Sequence, residues 1–184
     1  QAVKWCTELE MYVIIDWHSI GNLKMELFQN PEYITSLAET NNFWLSIAQH
    51  FAGNNTVAFY EFFNEPTLFF GRLGRMSWEE WKKINEDLIV LVRSYDKETI
   101  PLIAPLDWAY DLTPLWISPI EAEGIAYATH PYAHKRSQPW EPRWDENFGF
   151  AASTWPVFAT EFGFGKKGNE DYGNRIVNYL ENKG

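Results

Sequence analysis

The sequence predicts an α/β fold with a parallel sheet and, within that class, part of a (β/α)8 barrel of about five parallel strands. Three observations carry this. Short apolar runs alternate with amphipathic stretches, at Met11–Asp16, Val57–Phe62, Ile100–Pro105, Ile125–Thr129 and Val157–Thr160. These runs are nearly continuous rather than alternating, as in parallel strands covered on both faces. Each run is followed by a chemically loaded cluster: Asp16-Trp17-His18, Asn64-Glu65, Asp107-Trp108, His130-Pro131-Tyr132 and Glu161. Functional groups spread over the C-terminal ends of many strands mark a barrel. A doubly wound open sheet would gather them at one switch point.

The connecting helices have readable ends. The chain opens on QAVKWCTELE, which reads as a helix already under way. Asn30 is a candidate N-cap with Pro31 in the first turn, and Gly53 follows the other end. Ile34, Leu37, Phe43, Trp44, Ile47 and Phe51 would then face the sheet. Ser77 and Glu80 have the spacing of a capping box. Beyond them Trp78, Trp81, Ile84, Leu88, Leu91, Val92 and Tyr95 form a helical stripe. Only short helices are expected near Asp111–Trp116 and Trp144–Ala152. A last helix is expected from Glu170 to Asn182, with Tyr172, Ile176, Val177 and Leu180 inward.

Composition narrows the function. The 184 residues suit one domain, taken as 1–184, and 46% hydrophobic residues supply a large core. A net charge of −10 repels phosphate backbones, which argues against nucleic acid as a partner. No apolar run reaches the roughly 18 residues of a membrane span. The single cysteine, Cys6, excludes an intramolecular disulfide and a cysteine-based zinc site, and it is expected to lie buried on a helix. Ten tryptophans exceed what a core this size needs. Indole faces stack on pyranose rings, so a sugar cleft accounts for part of them. About half should instead anchor helices to the sheet.

Glu65 and Glu161 are the central pair. Pro66 cannot continue a strand ladder, so Glu65 is expected at a turn on the rim. Glu161 is followed by Gly163 and Gly165, read as residues that let the chain turn sharply. Two carboxylates at strand ends can serve as general acid and nucleophile on a glycosidic bond. Other readings are weaker. Gly163–Gly168 matches G-x-G-x-x-G, but it overlaps the turn after Glu161 and no second strand completes a nucleotide-binding unit. His130 and His134 are four apart, yet Pro131 between them disfavours the helix that would align them on a metal. No cofactor is expected. Glu61 lies four residues before Glu65 on the same strand face, so it points into the barrel interior, where a carboxylate needs a partner.

The runs YVIIDWH, FYEFFNEP, ATHPY and FATEFGF, in this order, resemble glycoside hydrolase family 5, the cellulase-type retaining glycosidases. The resemblance implies a (β/α)8 barrel represented from strand three to the helix after strand seven, lacking strands 1, 2 and 8. It implies Glu65 as acid/base, Glu161 as nucleophile, and Asn64 as the residue that holds the sugar 2-hydroxyl. His18, His130 and Tyr132 would surround the cleaved bond, with Tyr132 close to Glu161. The implied enzyme is a secreted endo-β-1,4-glucanase acting on β-glucan. Mannan, xylan and mixed-linkage glucan remain open, as does a barrel that binds glucan with little or no turnover. Trp17, Trp108, Trp140 and Trp144 are candidate sugar platforms. A five-stranded wall with two open edges and an apolar lumen is expected to associate into a dimer or higher oligomer.

Overall fold

The computed structural model describes residues 1–68, 71–164 and 170–183. The elements begin with helix α1 (Ala2–Glu8) and strand β1 (Val13–Asp16), followed by β2 (Ile20–Asn22), β3 (Leu27–Phe28) and α2 (Leu37–Phe51). Next come β4 (Val57–Glu61), β5 (Glu65–Pro66), α3 (Trp78–Arg93), β6 (Ile100–Ile103) and the short α4 (Leu106–Ala109). The chain continues through β7 (Ala126–Thr129), α5 (Trp140–Asn147), β8 (Val157–Ala159) and α6 (Glu170–Lys183). The main sheet has the order β1-β4-β6-β7-β8, and every pairing is parallel. Each new strand is added on the same side as the chain advances, without reversal. That is how a barrel wall grows, and it yields a half-barrel.

All five expected strands are present, with shorter bounds. Met11 and Tyr12 precede β1 and are exposed. The larger core lies between sheet and helices and includes Trp44, Tyr60, Trp81 and Trp144. Buried tryptophans also close off strand ends: Trp44 Nε1 donates to the Phe62 carbonyl at 3.0 Å and Trp81 Nε1 to the Ala104 carbonyl at 2.8 Å. Both carbonyls lie just past a strand, where the sheet ladder no longer supplies donors. A smaller cluster joins Leu102, Ala104, Ala109, Ala126 and Ala128, with Phe59 and Ile100 packed on it.

Several local expectations are corrected. Asn30-Pro31 starts only a 3-10 turn, Pro31–Tyr33, and α2 begins later. Ser36 caps it, its side chain accepting from the Glu39 amide at 3.1 Å. Ile34 falls in the extended link between the two and is exposed. The capping box on α3 forms as expected. Tyr95 lies past its end and is exposed, and Val177 on α6 is exposed as well. Cys6 is on α1 but only partly buried. A second, three-stranded sheet of order β3-β2-β5 is visible only in the structure.

Candidate active site

The small sheet sets the rim on which Glu65 stands. The loops after β1 and β4 run parallel: the Asn64 amide donates to the Trp17 carbonyl, Glu65 N–H to Ser19 O at 3.1 Å, and Thr67 N–H to Gly21 O at 2.9 Å. Pro66 therefore sits inside a strand pair rather than at a turn. It is tolerated because the ladder takes the amides on either side of it. Gly21 is needed for close approach: a Cβ there would meet the Leu27 carbonyl oxygen at 2.5 Å.

Glu161 follows β8 by two residues. Tyr132 Oη donates to its Oε2 at 2.8 Å. Burial, then this bond and the Glu161 charge, push the Tyr132 phenol up to about 12, so the proton stays on the oxygen. Gly163 pairs with Tyr132, and the Ala133 amide donates to its carbonyl. Gly163 has no left-handed backbone. Its role is room, since a Cβ would meet the Tyr132 ring at 2.7 Å. Gly165, and with it most of the Gly163–Gly168 match, lies outside the described residues.

His130 is fully buried between the two glutamates. Its Nδ1 lies 3.1 Å from Glu65 Oε1 and 3.8 Å from Glu161 Oε2, and its Nε2 lies 3.0 Å from Thr160 Oγ1. Thr160 in turn donates to Glu61 Oε1 at 2.9 Å, which supplies the interior partner for Glu61. A carboxylate oxygen of Glu65, one of Glu161 and a ring nitrogen of His130 all lie within 4.8 Å of one another. Burial pushes His130 down, but the nearby Glu61 carboxylate, the hydrogen bond to Glu65 and the Glu161 charge outweigh it and raise the ring to about 9. On the far side His18 Nδ1 contacts Asp16 Oδ2 at 2.7 Å. Burial and the nearby Glu61 charge nonetheless raise Asp16 to about 6 against that bond.

A cleft of about 810 Å³ opens over this group. Of the expected site residues, His18, Asn64, Glu65, Trp108, Tyr132 and Glu161 line it, while His130 supports it from behind. The whole chain, residues 1–184, matches the family model Cellulase (glycosyl hydrolase family 5).

This chain belongs to glycosyl hydrolase family 5.

Similar proteins include the beta-glucanase SdGluc5_26A of Saccharophagus degradans, whose native crystal structure superposes with a TM-score of 0.96 at 45% identity. The match covers 99% of this chain and 59% of that one. The same protein has been solved in complex with cellotetraose, with a TM-score of 0.94. Endoglucanase E-5 of Thermobifida fusca is 28% identical over 170 residues, covering 89% of this chain and 32% of its own length. Endoglucanase A of Butyrivibrio fibrisolvens is 27% identical over 164 residues, covering 88% and 33%. The chain thus spans about a third of the length of these curated relatives.

Within this family-5 half-barrel only one of the four candidate platforms faces the cleft. Trp144 is buried, Trp140 packs edge-on against Tyr172, and Trp17 packs against Phe43. Trp108 lines the cleft on an unusual backbone: Asp107, Trp108 and Ala109 have φ of 62°, 55° and 56°. Left-handed non-glycine residues cost roughly 1–2 kcal/mol each, so the turn must be held from outside. Lys135 Nζ donates to the Asp107 carbonyl at 2.7 Å and lies 5.1 Å from the Trp108 ring centre. Trp108 Nε1 donates to Gln29 Oε1 at 3.0 Å, and the His130 amide to the Ala109 carbonyl at 2.7 Å. Gln29, Arg72, Lys135 and Arg136 also line the cleft and had no signal in the sequence, because the small sheet and this turn bring them there.

Glu65, His130 and Glu161 are also a donor set that could reach one cation. A ring protonated on both nitrogens is a donor only and cannot ligate a metal. In this structure His130 Nδ1 is engaged by Glu65 Oε1, and Glu161 Oε2 accepts from the Tyr132 hydroxyl. His134 stacks on Tyr132 instead of joining this set.

Proposed function

We propose that this chain carries the catalytic pair of a retaining endo-β-1,4-glucanase, with Glu161 as nucleophile and Glu65 as acid/base. The observation that carries the reading is the separation of the two carboxylates, with oxygens within 4.8 Å of each other. Retaining glycosidases hold their carboxyls about 5–5.5 Å apart, whereas inverting ones leave about 6.5–9.5 Å for a water. In the first half-reaction Glu161 attacks the anomeric carbon while Glu65 protonates the departing oxygen. The resulting glycosyl-enzyme ester is then hydrolysed by a water whose proton Glu65 takes.

The neighbours suit these roles. The Tyr132 hydroxyl donates to Glu161 Oε2, and His130 Nδ1 stands 3.8 Å from the same oxygen. Asn64 is assigned to the sugar 2-hydroxyl beside the nucleophile, His18 to the subsite around the cleaved bond, and Trp108 to stacking on a pyranose face. β-Glucan is the proposed substrate, supported by the cellotetraose complex of the Saccharophagus relative.

The test is hydrolysis of carboxymethylcellulose and barley glucan by wild type, Glu65→Gln and Glu161→Gln. Loss of the acid/base should lower kcat by about 10²–10⁴-fold, and loss of the nucleophile by at least as much. Equal rates in all three would end the catalytic claim. A second reading, binding without turnover, is favoured by the uncovered inner face, where Ile14 and Phe158 are 42% and 40% exposed. Cello-oligosaccharide binding by wild type in the absence of hydrolysis would select it.

A further inference from the structure

We propose that Glu61 and Thr160 are positioning residues for this reaction, holding the His130 ring so that Nε2 always carries a proton and Nδ1 is the atom that serves Glu65. The inference rests on the glycosidase reading above and adds to it two residues that do not line the cleft.

The geometry decides the ring state step by step. The Thr160 hydroxyl has one proton, and it is committed to Glu61 Oε1 at 2.9 Å. Its oxygen can therefore only accept from His130 Nε2 at 3.0 Å, so Nε2 must be the N–H nitrogen. That leaves Nδ1 facing Glu65 Oε1 at 3.1 Å. When Glu65 is protonated it can donate to the Nδ1 lone pair. When Glu65 is a carboxylate, Nδ1 can carry a second proton and donate instead. The contact survives both halves of the catalytic cycle, and the ring cannot turn over without breaking the Thr160 bond.

Glu61 also supplies charge. It is 4% exposed, and its Oε1 lies 3.8 Å from Nε2, directly behind the ring. The other groups around His130 are Glu65 on β5, Glu161 beyond β8, and Tyr132 on its own loop, hydrogen-bonded to Glu161. Asp16 at the end of β1 interacts with Glu61 and Glu161. On the side of α4, Lys135 interacts with Asp107 and Glu65. Among these, Glu61 is the carboxylate on the Nε2 side of the ring, away from the reacting atoms. Its removal tests the ring's charge without touching the bond being cleaved.

The experiment follows the ring nitrogens by NMR in ¹⁵N-histidine-labelled protein from about pH 5 to about pH 10, with His130→Asn to assign the signal. In wild type, Nε2 should be protonated throughout, and only Nδ1 should titrate. Glu61→Gln should lower the His130 midpoint by about one pH unit or more, a tenfold loss of proton affinity. Its kcat on barley glucan should fall and its pH profile should move with that midpoint, while KM stays close to wild type. Thr160→Val should lose the Nε2–H signature, and Thr160→Ser should restore it, which keeps the test open if Glu61→Gln fails to fold. A wild-type ring whose neutral form carries its proton on Nδ1, or an unmoved midpoint in Glu61→Gln, overturns the inference while leaving the glycosidase reading intact. Absence of hydrolysis by wild type sinks the glycosidase reading and this inference with it.

Discussion

At His130 burial and charge pull in opposite directions, and charge wins. The folded chain binds the His130 proton more tightly than the unfolded chain does, with the pKa raised from 6.5 to about 9. The stabilisation is therefore fully present below pH 6.5 and is lost as pH rises through about 9. Asp16 has the same sign at lower pH: raised from 3.8 to about 6, it favours the folded state less and less as pH climbs through that window. Thermal melts should show Tm falling between pH 6.5 and 9, and His130→Asn should flatten that fall. An identical slope in the variant would assign the effect to other groups. The residues of the candidate site were largely legible as types at strand ends. The partner of Glu61 was not, because Thr160 lies 99 positions away and only the parallel register of separate strands brings the two side chains together.

Among the elements, the five strands of the main sheet and the capping box of α3 were legible because their signals are local and continuous. The β3-β2-β5 sheet was not. Its strands are two or three residues long, and their pairing is decided by partners in other loops. The left-handed turn at Asp107–Ala109 was equally hidden, since none of its residues is a glycine and Lys135 holds it from a later loop. Gly163 shows how a residue can be noticed for the wrong reason: a turn was expected, and the structure shows a tight seat for the Tyr132 ring. Gly163→Ala should push Tyr132 off Glu161 and lower kcat by roughly 10–10²-fold, since small misplacements at a reacting centre are costly. Steady-state kinetics together with an unchanged circular dichroism spectrum would establish this. A wild-type kcat would show that Tyr132 can relax without consequence.

At the largest scale the described residues form a parallel wall with β1 and β8 at the two ends of the strand order, and an inner face on which Ile14 and Phe158 remain substantially exposed. Tyr12 beside the β1 edge is more exposed still. Unpaired edges and apolar patches of this kind associate. For this chain on its own we expect a dimer or larger assembly, to be read by light scattering at micromolar concentration. A well-behaved monomer would contradict the expectation.

The sequence by itself determined the fold class, the order of the main strands and the two glutamates. Apolar periodicity and strand-end chemistry are written in neighbouring residues. Only the tertiary structure decided the distance between Glu65 and Glu161, the charged state of His130 between them, and the single tryptophan of the four candidates that reaches the cleft. Those properties arise where side chains from different strands converge in a buried space. There, desolvation and neighbouring charge set each group's behaviour, and neither can be read from one segment of chain alone.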